Sequence, residues 1–188
     1  MFSLLHAKFL GVSRVAVWCG GFALLLSAFM VTLDVLSRKF IGFTISGADE
    51  ISGYIFAAGT TWAYSYCLLT RSNIRIDFAY NLMSAKPRAF LDMLGVVLLL
   101  YYIYLLTTKS FTLFVENVEQ DATAQTTLAT PLWIPQIFWL SGLCFFLLTL
   151  IFVTVYGITA LFRGDWLTVN RIAGVRTVEE EISEETHV

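Results

Sequence analysis

Residues 46–70 read SGADEISGYIFAAGTTWAYSYCLLT: two adjacent carboxylates, Asp49 and Glu50, stand immediately before a run, Ile51 to Thr70, that carries no charge. A run of about 20 uncharged residues is long enough to cross a bilayer as a helix. Carboxylates at its threshold have three readings. They start the helix, they form an interface with a partner, or they belong to an ion path. The rest of the chain has to choose among these.

Outward from that stretch, the composition sets the class. Of the 188 residues 57% are hydrophobic and 14% charged, with a mean hydropathy of +0.74, whereas soluble domains carry roughly 25% charged residues. The chain reads as an all-α integral membrane protein. A net charge of -2 with no basic cluster gives no reason to expect nucleic acid as a partner.

Three further uncharged stretches complete a four-helix reading: Val15–Leu33, Met93–Thr108, and a long one from Ala122 to Phe162 punctuated by Pro131 and Pro135. Pro87 suits the first turn of the third helix. The expected helices lie at about 13–36, 49–70, 87–114 and 135–162, in a membrane domain over 1–165 followed by a cytoplasmic acidic tail over 166–188. The fourth is longer than a bilayer requires, which implies tilt or a protruding end. No internal repeat is visible, which disfavours an inverted-repeat transporter built from this chain alone.

The twelve Lys and Arg residues are unevenly placed around these spans. Lys8 and Arg14, Arg71, Arg75, Lys86 and Arg88, and Arg163, Arg171 and Arg176 fall on one side. Only Arg38, Lys39 and Lys109 fall on the other. The positive-inside rule then puts both termini and the 71–88 loop in the cytoplasm. Within that loop Ile74–Ser84 mixes apolar and charged residues and is expected to lie in the interface as a short amphipathic segment between helices 2 and 3.

Little here can carry chemistry. No GxSxG, HExxH or P-loop pattern occurs, so catalytic and metal residues are expected to be none, and no cofactor is expected. His6 and His187 lie outside the crossings, which excludes a bis-histidine haem. Cys19, Cys67 and Cys144 sit in apolar runs without CxxC spacing and read as small hydrophobes. Asp34 and Arg38, four residues apart, share one helix face and are expected to pair. Asp92 stands one turn beyond Arg88 and reads the same way. Asp49 and Glu50 suit the first turn of helix 2, where carboxylates meet the positive end of the helix dipole. A sharper reading has Glu50 meeting Arg38 across the connection. A proton path would need polar groups continuing inward, and helix 2 offers mainly Thr60, Thr61, Tyr64, Ser65 and Tyr66. Small residues at Gly53 with Ala57, and at Gly59 with Ala63, permit close helix approach. Gly20, Gly21, Ala23 and Ser27 do the same on helix 1. Spacing alone does not separate packing within the four helices from a face for a second protein.

The order of these features resembles a known family. Arg38 after helix 1, GADE at 47–50, the small and aromatic helix 2, RSNIRID at 71–77 and TTLATPLWIP at 126–135 resemble the small membrane subunit of tripartite ATP-independent periplasmic (TRAP) transporters, the DctQ-like family. The resemblance covers roughly residues 14 to 162. Asn73 stands where the family commonly has histidine, Asp49 replaces the usual first glutamate, and Ala63 falls where glycine is frequent.

The resemblance implies a non-catalytic permease subunit of the bacterial inner membrane. It would scaffold a large multi-spanning subunit and work with a periplasmic substrate-binding protein in sodium-driven uptake of organic acids. The substrate site would lie in the large subunit, with none in this one. Arg38, Asp49, Glu50, Gly53, Ala57, Gly59 and Ala63 are then structural or partner-interface residues, with membrane lipids around them. Glu116, Glu119 and Asp121 are candidate contacts for the periplasmic partner. The alternative is a self-contained small homodimeric transporter, although such proteins generally carry an essential carboxylate inside a crossing. A quinone-linked membrane enzyme would want His, Cys or carboxylate clusters near the surface, and an assembly protein unrelated to transport would want neither.

Overall fold

The computed structural model describes residues 2–72 and 84–174. Among these the protein is all-helical and has no strand, apart from an isolated bridge between Thr123 and Pro131. The helices are α1 (Phe2–Phe40), α2 (Ala48–Leu69), α3 (Ala85–Glu119), α4 (Trp133–Phe162) and a short α5 (Trp166–Ala173). The expected amphipathic segment at 74–84 and the tail from 175 lie essentially outside the described residues.

Local sequence explains the boundaries. α1 contains no proline and reaches about 58 Å at 1.5 Å per residue, starting well before the expected residue 13. It closes on Arg38 and Lys39, cations suited to the negative end of the helix dipole. Gly42 then takes a left-handed φ of 75°, and Gly47, at φ 88°, turns the chain into α2. Pro87 and Pro135 each fall on the third residue of their helix. Their missing N–H groups belong to donors that the first turn leaves unpaired in any case. α4 therefore begins two residues before Pro135.

Among the described residues three helices are long and apolar enough to cross a membrane: the spans Leu4–Phe40, Lys86–Glu119 and Trp133–Phe162. α2 has the length, but Thr60, Thr61, Trp62, Tyr64, Ser65 and Tyr66 dilute its apolar content below that of the other three. Three of the four expected crossings are thus supported by length and composition, and α2 is a more polar helix outside that set.

The chain divides into two compact units. The first joins Met1–Tyr66 with Leu105–Phe146. Within it α1 and α2 approach backbone to backbone: a Cβ on Gly20 would fall 3.2 Å from the Cα of Gly59. Gly142 of α4 makes room for α2 side chains, since a Cβ there would lie 2.8 Å from Trp62 Cδ1. The Trp62 indole N–H donates to the Phe138 carbonyl at 3.1 Å, and its ring stacks on Phe145 at 5.3 Å. Phe9 of α1 stacks on the same Phe145 at 5.7 Å. Small residues admit the backbones, as lipid-embedded packing demands, and aromatic rings fill the remaining space.

The second unit joins Cys67–Tyr104 with Leu147–Val188. Here Gly157 of α4 receives Met93 of α3, whose Cε would stand 3.1 Å from a Cβ at that glycine. Asp92 is fully buried beside it. The opening residues of the expected tail form α5. Asp165 caps it, accepting from the Thr168 N–H at 3.1 Å and from the Thr168 hydroxyl at 2.5 Å. Val169 is buried. Composition alone hid this helix, because eight residues are too few for apolar spacing to stand out beside an acidic tail.

Along α3 the buried positions Ala89, Met93, Val96, Ile103, Thr107 and Ser110 follow three- and four-residue steps with one step of seven from Val96 to Ile103. On α4 Leu140, Leu143, Phe146, Leu150 and Val153 follow three- and four-residue steps. α1 differs. Its buried residues are Ser13, Ser27 and Asp34, and Gly20, half-buried, completes a line with one residue every seven. Most of its large apolar residues, among them Trp18, Phe22, Leu25 and Phe29, face away from the protein, whereas Phe9 turns in to Phe145.

Candidate functional site

The first unit carries a polar clamp where α1 ends and α2 begins. Asp34, 2% exposed, is the first half. Its Oδ2 accepts from the Arg38 guanidinium at 2.5 Å, and its Oδ1 accepts from the backbone N–H of Ile45 at 2.6 Å. The first contact follows from the four-residue spacing. The second reaches across eleven residues and fixes the loop that leaves α1. A buried carboxylate is costly unless its oxygens are engaged, and here both are.

Glu50 is the second half. Its Oε1 accepts from the Tyr54 hydroxyl at 2.7 Å, one turn on, and its Oε2 accepts from the Thr126 hydroxyl. Thr126 belongs to the connection between α3 and α4, 76 residues away. These hydrogen bonds, Thr126's first and Tyr54's second, hold the Glu50 carboxyl below its ordinary value of 4.5, because a group that accepts hydrogen bonds is easier to keep ionised. Glu50 stands immediately ahead of the uncharged run, and its Tyr54 partner is one turn inside it.

The α3–α4 connection is itself ordered. Ala124 N–H donates to Thr130 O and Leu132 N–H to Ala122 O, each at 2.9 Å, around the Thr123–Pro131 bridge. Asp121 and Ala129 adopt left-handed φ values of 46°. Leu128 covers Gly47 so closely that a Cβ there would overlap its side chain. The two connections of this unit are therefore knit together by Glu50–Thr126 and Gly47–Leu128.

The expected site residues distribute around this clamp unevenly. Arg38 turns to Asp34 and Glu50 to Tyr54 and Thr126, so the sharper expectation of an Arg38–Glu50 pair is replaced by two separate anchors. Asp49 is exposed on the first turn of α2, and its carbonyl accepts from the Ser52 hydroxyl at 2.8 Å. Gly59 meets Gly20, whereas Gly53 has nothing near the position of an added Cβ. Ala57 and Ala63 are half-buried. Glu116, Glu119 and Asp121 are exposed at the end of α3 and just after it. Sequence reasoning did not single out Tyr54 or Thr126. The Glu50/Tyr54 spacing of four was a usable signal; the Thr126 contact had none.

Beside the clamp runs an apolar groove of about 950 Å³, formed by α1, α2 and the start of α4 and lined among others by Cys19, Gly20, Ala58, Gly59 and Phe138. It exists because small residues sit along the α1–α2 seam. No group of three or more His, Cys, Asp or Glu residues comes together among the described residues. What the arrangement does is hold connections in place.

Comparison with known proteins gives the family. Residues 27–160 match the family described as tripartite ATP-independent periplasmic transporters, DctQ component. No curated protein and no solved structure matched the chain. The matched range runs from the middle of α1 to near the end of α4, taking in both halves of the clamp and the Gly59 and Gly142 approaches. The chain belongs to the DctQ component family of the tripartite ATP-independent periplasmic transporters.

Proposed function

We propose that this chain is the small permease subunit that scaffolds a large multi-spanning subunit in a sodium-coupled, binding-protein-dependent organic acid uptake system of the bacterial inner membrane. Four helices cross, α2 included, and both termini face the cytoplasm, as the distribution of Lys and Arg favours. The clamp then faces the periplasm, where Glu116, Glu119 and Asp121 offer an acidic surface to the binding protein. Substrate and sodium are held by the large subunit. This chain does no catalysis.

The observation that carries this reading is α1. Only 6% of its span window is buried within the chain, and its outward face is made of large apolar side chains over a small and polar seam. Such a helix is built to be covered on its outer side by lipid and by another membrane subunit.

The test places a photo-crosslinking residue at Phe22, Leu25 or Phe29 of the tagged full chain in its native host. Crosslinks to one stoichiometric multi-spanning protein, whose removal abolishes uptake of the organic acid, are expected. Recovery of the chain alone or as a homodimer, with substrate flux after reconstitution by itself, would instead establish the self-contained transporter.

A further inference from the structure

The segment Arg38–Ile45 combines features that the scaffold reading leaves unused. α1 ends at Phe40 as an apolar span, and its apolar surface does not stop there. Phe40 is 75% exposed, Ile41 78% and Phe43 62%, and Ile45 is exposed as well. Isolated exposed apolar residues need no explanation, but several in six consecutive residues do. Two cations precede them. The Lys39 ammonium sits 5.7 Å from the centroid of the Phe40 ring. Arg38 has 56% of its side chain exposed, and its guanidinium has donors beyond those that Asp34 engages.

The segment is also held in one shape. Ile41 N–H still donates to Ser37 O at 2.9 Å, continuing the last turn, before Gly42 reverses the chain. Asp34 then catches Ile45 N–H and Arg38 together. The loop is thereby tied at its base on both sides, while the side chains of Phe40, Ile41 and Phe43 remain uncovered by the chain.

We propose that Arg38–Ile45 is a membrane-surface anchor: Phe40, Ile41 and Phe43 insert into the interfacial layer and Arg38 and Lys39 meet the phosphates of anionic phospholipid, with Asp34 as the positioning residue. The occupant follows from continuity and charge. The loop begins where a lipid-facing helix leaves the hydrocarbon, the level at which aromatic side chains settle. Cations at that level are drawn to the phosphates of anionic headgroups. Asp34, the carboxylate of the segment's base, is buried and already engaged. The proposal needs α1 to cross the membrane, not the identity of any transport partner.

Nitroxide labels test it. The full chain, with Cys19, Cys67 and Cys144 replaced by serine, receives a single label at position 41, 43 or, as a mid-span control, 25, and is reconstituted in nanodiscs of phosphatidylethanolamine and phosphatidylglycerol. Labels at 41 and 43 are expected to be accessible to oxygen and shielded from a water-soluble nickel complex. Replacing phosphatidylglycerol by phosphatidylcholine, or introducing Lys39→Gln, is expected to make both labels shallower. Asp34→Asn is expected to shift the label at 43 while leaving the one at 25 unmoved. Nickel access at 41 and 43 with the control in lipid overturns the anchor alone, and nickel access at all three overturns the crossing with it. Shielding from both relaxers means a protein covers the loop and also overturns the proposal. Depth indifferent to lipid charge and to Lys39→Gln removes the cations from it.

Discussion

α1 and α4 are both long, apolar helices, and they distribute their residues in opposite ways. In α4, 44% of the span window is buried, and the inward stripe is Leu140, Leu143, Phe146, Leu150 and Val153. In α1 the figure is 6%, and the inward line is Ser13, Gly20, Ser27 and Asp34. α4 turns a stripe of large apolar residues toward its neighbours, while Phe138, Leu148 and Val155 stay exposed. α1 keeps its polar and small side inward and its apolar side outward. Mean hydropathy cannot separate the two cases, because both segments score as spans. The difference shows that in a membrane the information lies in the small and polar residues rather than in the apolar ones, since lipid already satisfies leucine.

The largest expected effect tests the core side of this contrast. Gly142→Val would place a branched side chain against Thr61 and Trp62. Overpacking of this kind typically costs about 1–3 kcal/mol. The variant should lose most of its folded yield and melting temperature in detergent, and wild-type behaviour would show that α2 and α4 pack less tightly than described.

Next comes the polar seam. Asp34→Ala leaves both Arg38 and the Ile45 N–H without their acceptor and should lower the melting temperature clearly, though by less than Gly142→Val. Asp34→Asn should recover part of the loss, because an amide oxygen still accepts from Ile45. Equal losses for both variants would mean that the charge on Asp34, not its hydrogen bonds, holds the loop.

A smaller effect is expected at Glu50. Glu50→Gln should speed amide exchange around Thr126–Ala129 with little change in melting temperature. The pH dependence has a definite sign. Because the carboxyl of Glu50 is held below 4.5 in the folded protein, its contribution is present above 4.5 and is lost as pH falls through the folded value. Exchange in the α3–α4 connection should therefore rise on acidification in the wild type and much less in Glu50→Gln. An equal rise in both would assign the acid response to another group.

The smallest effect tests the outward face of α1. Leu25→Ala removes an exposed side chain and should change the stability of the isolated chain by no more than about 0.5 kcal/mol. A larger loss would place Leu25 in a contact within the chain and narrow the contrast between α1 and α4.

Much of this architecture was legible in the sequence, for physical reasons. Uncharged runs and terminal prolines locate long helices because lipid tolerates few charges and the first helical turn tolerates proline. The Asp34–Arg38 pair was readable because both residues lie on one face of one helix. Three things were not. The Glu50–Thr126 contact depends on the path of a connection 76 residues away, which no local pattern encodes. α5 is short and owes its start to an Asp165 cap that composition averages away. The seam of α1 was visible only in part, as the cluster Gly20, Gly21, Ala23 and Ser27. Its true members are spaced by seven, and Gly21 falls on the exposed side.

That seven-residue spacing makes α1 sensitive to a kind of change that substitution does not probe. Inserting one residue between Gly20 and Ser27 leaves length, composition and hydropathy nearly untouched. It nevertheless rotates everything beyond it by about 100° around the helix axis. Gly20 and Asp34 would then no longer share a face, and the carboxylate that ties down Ile45 would swing toward lipid. α1 should accept many replacements on its outer side and almost no change in its count of residues.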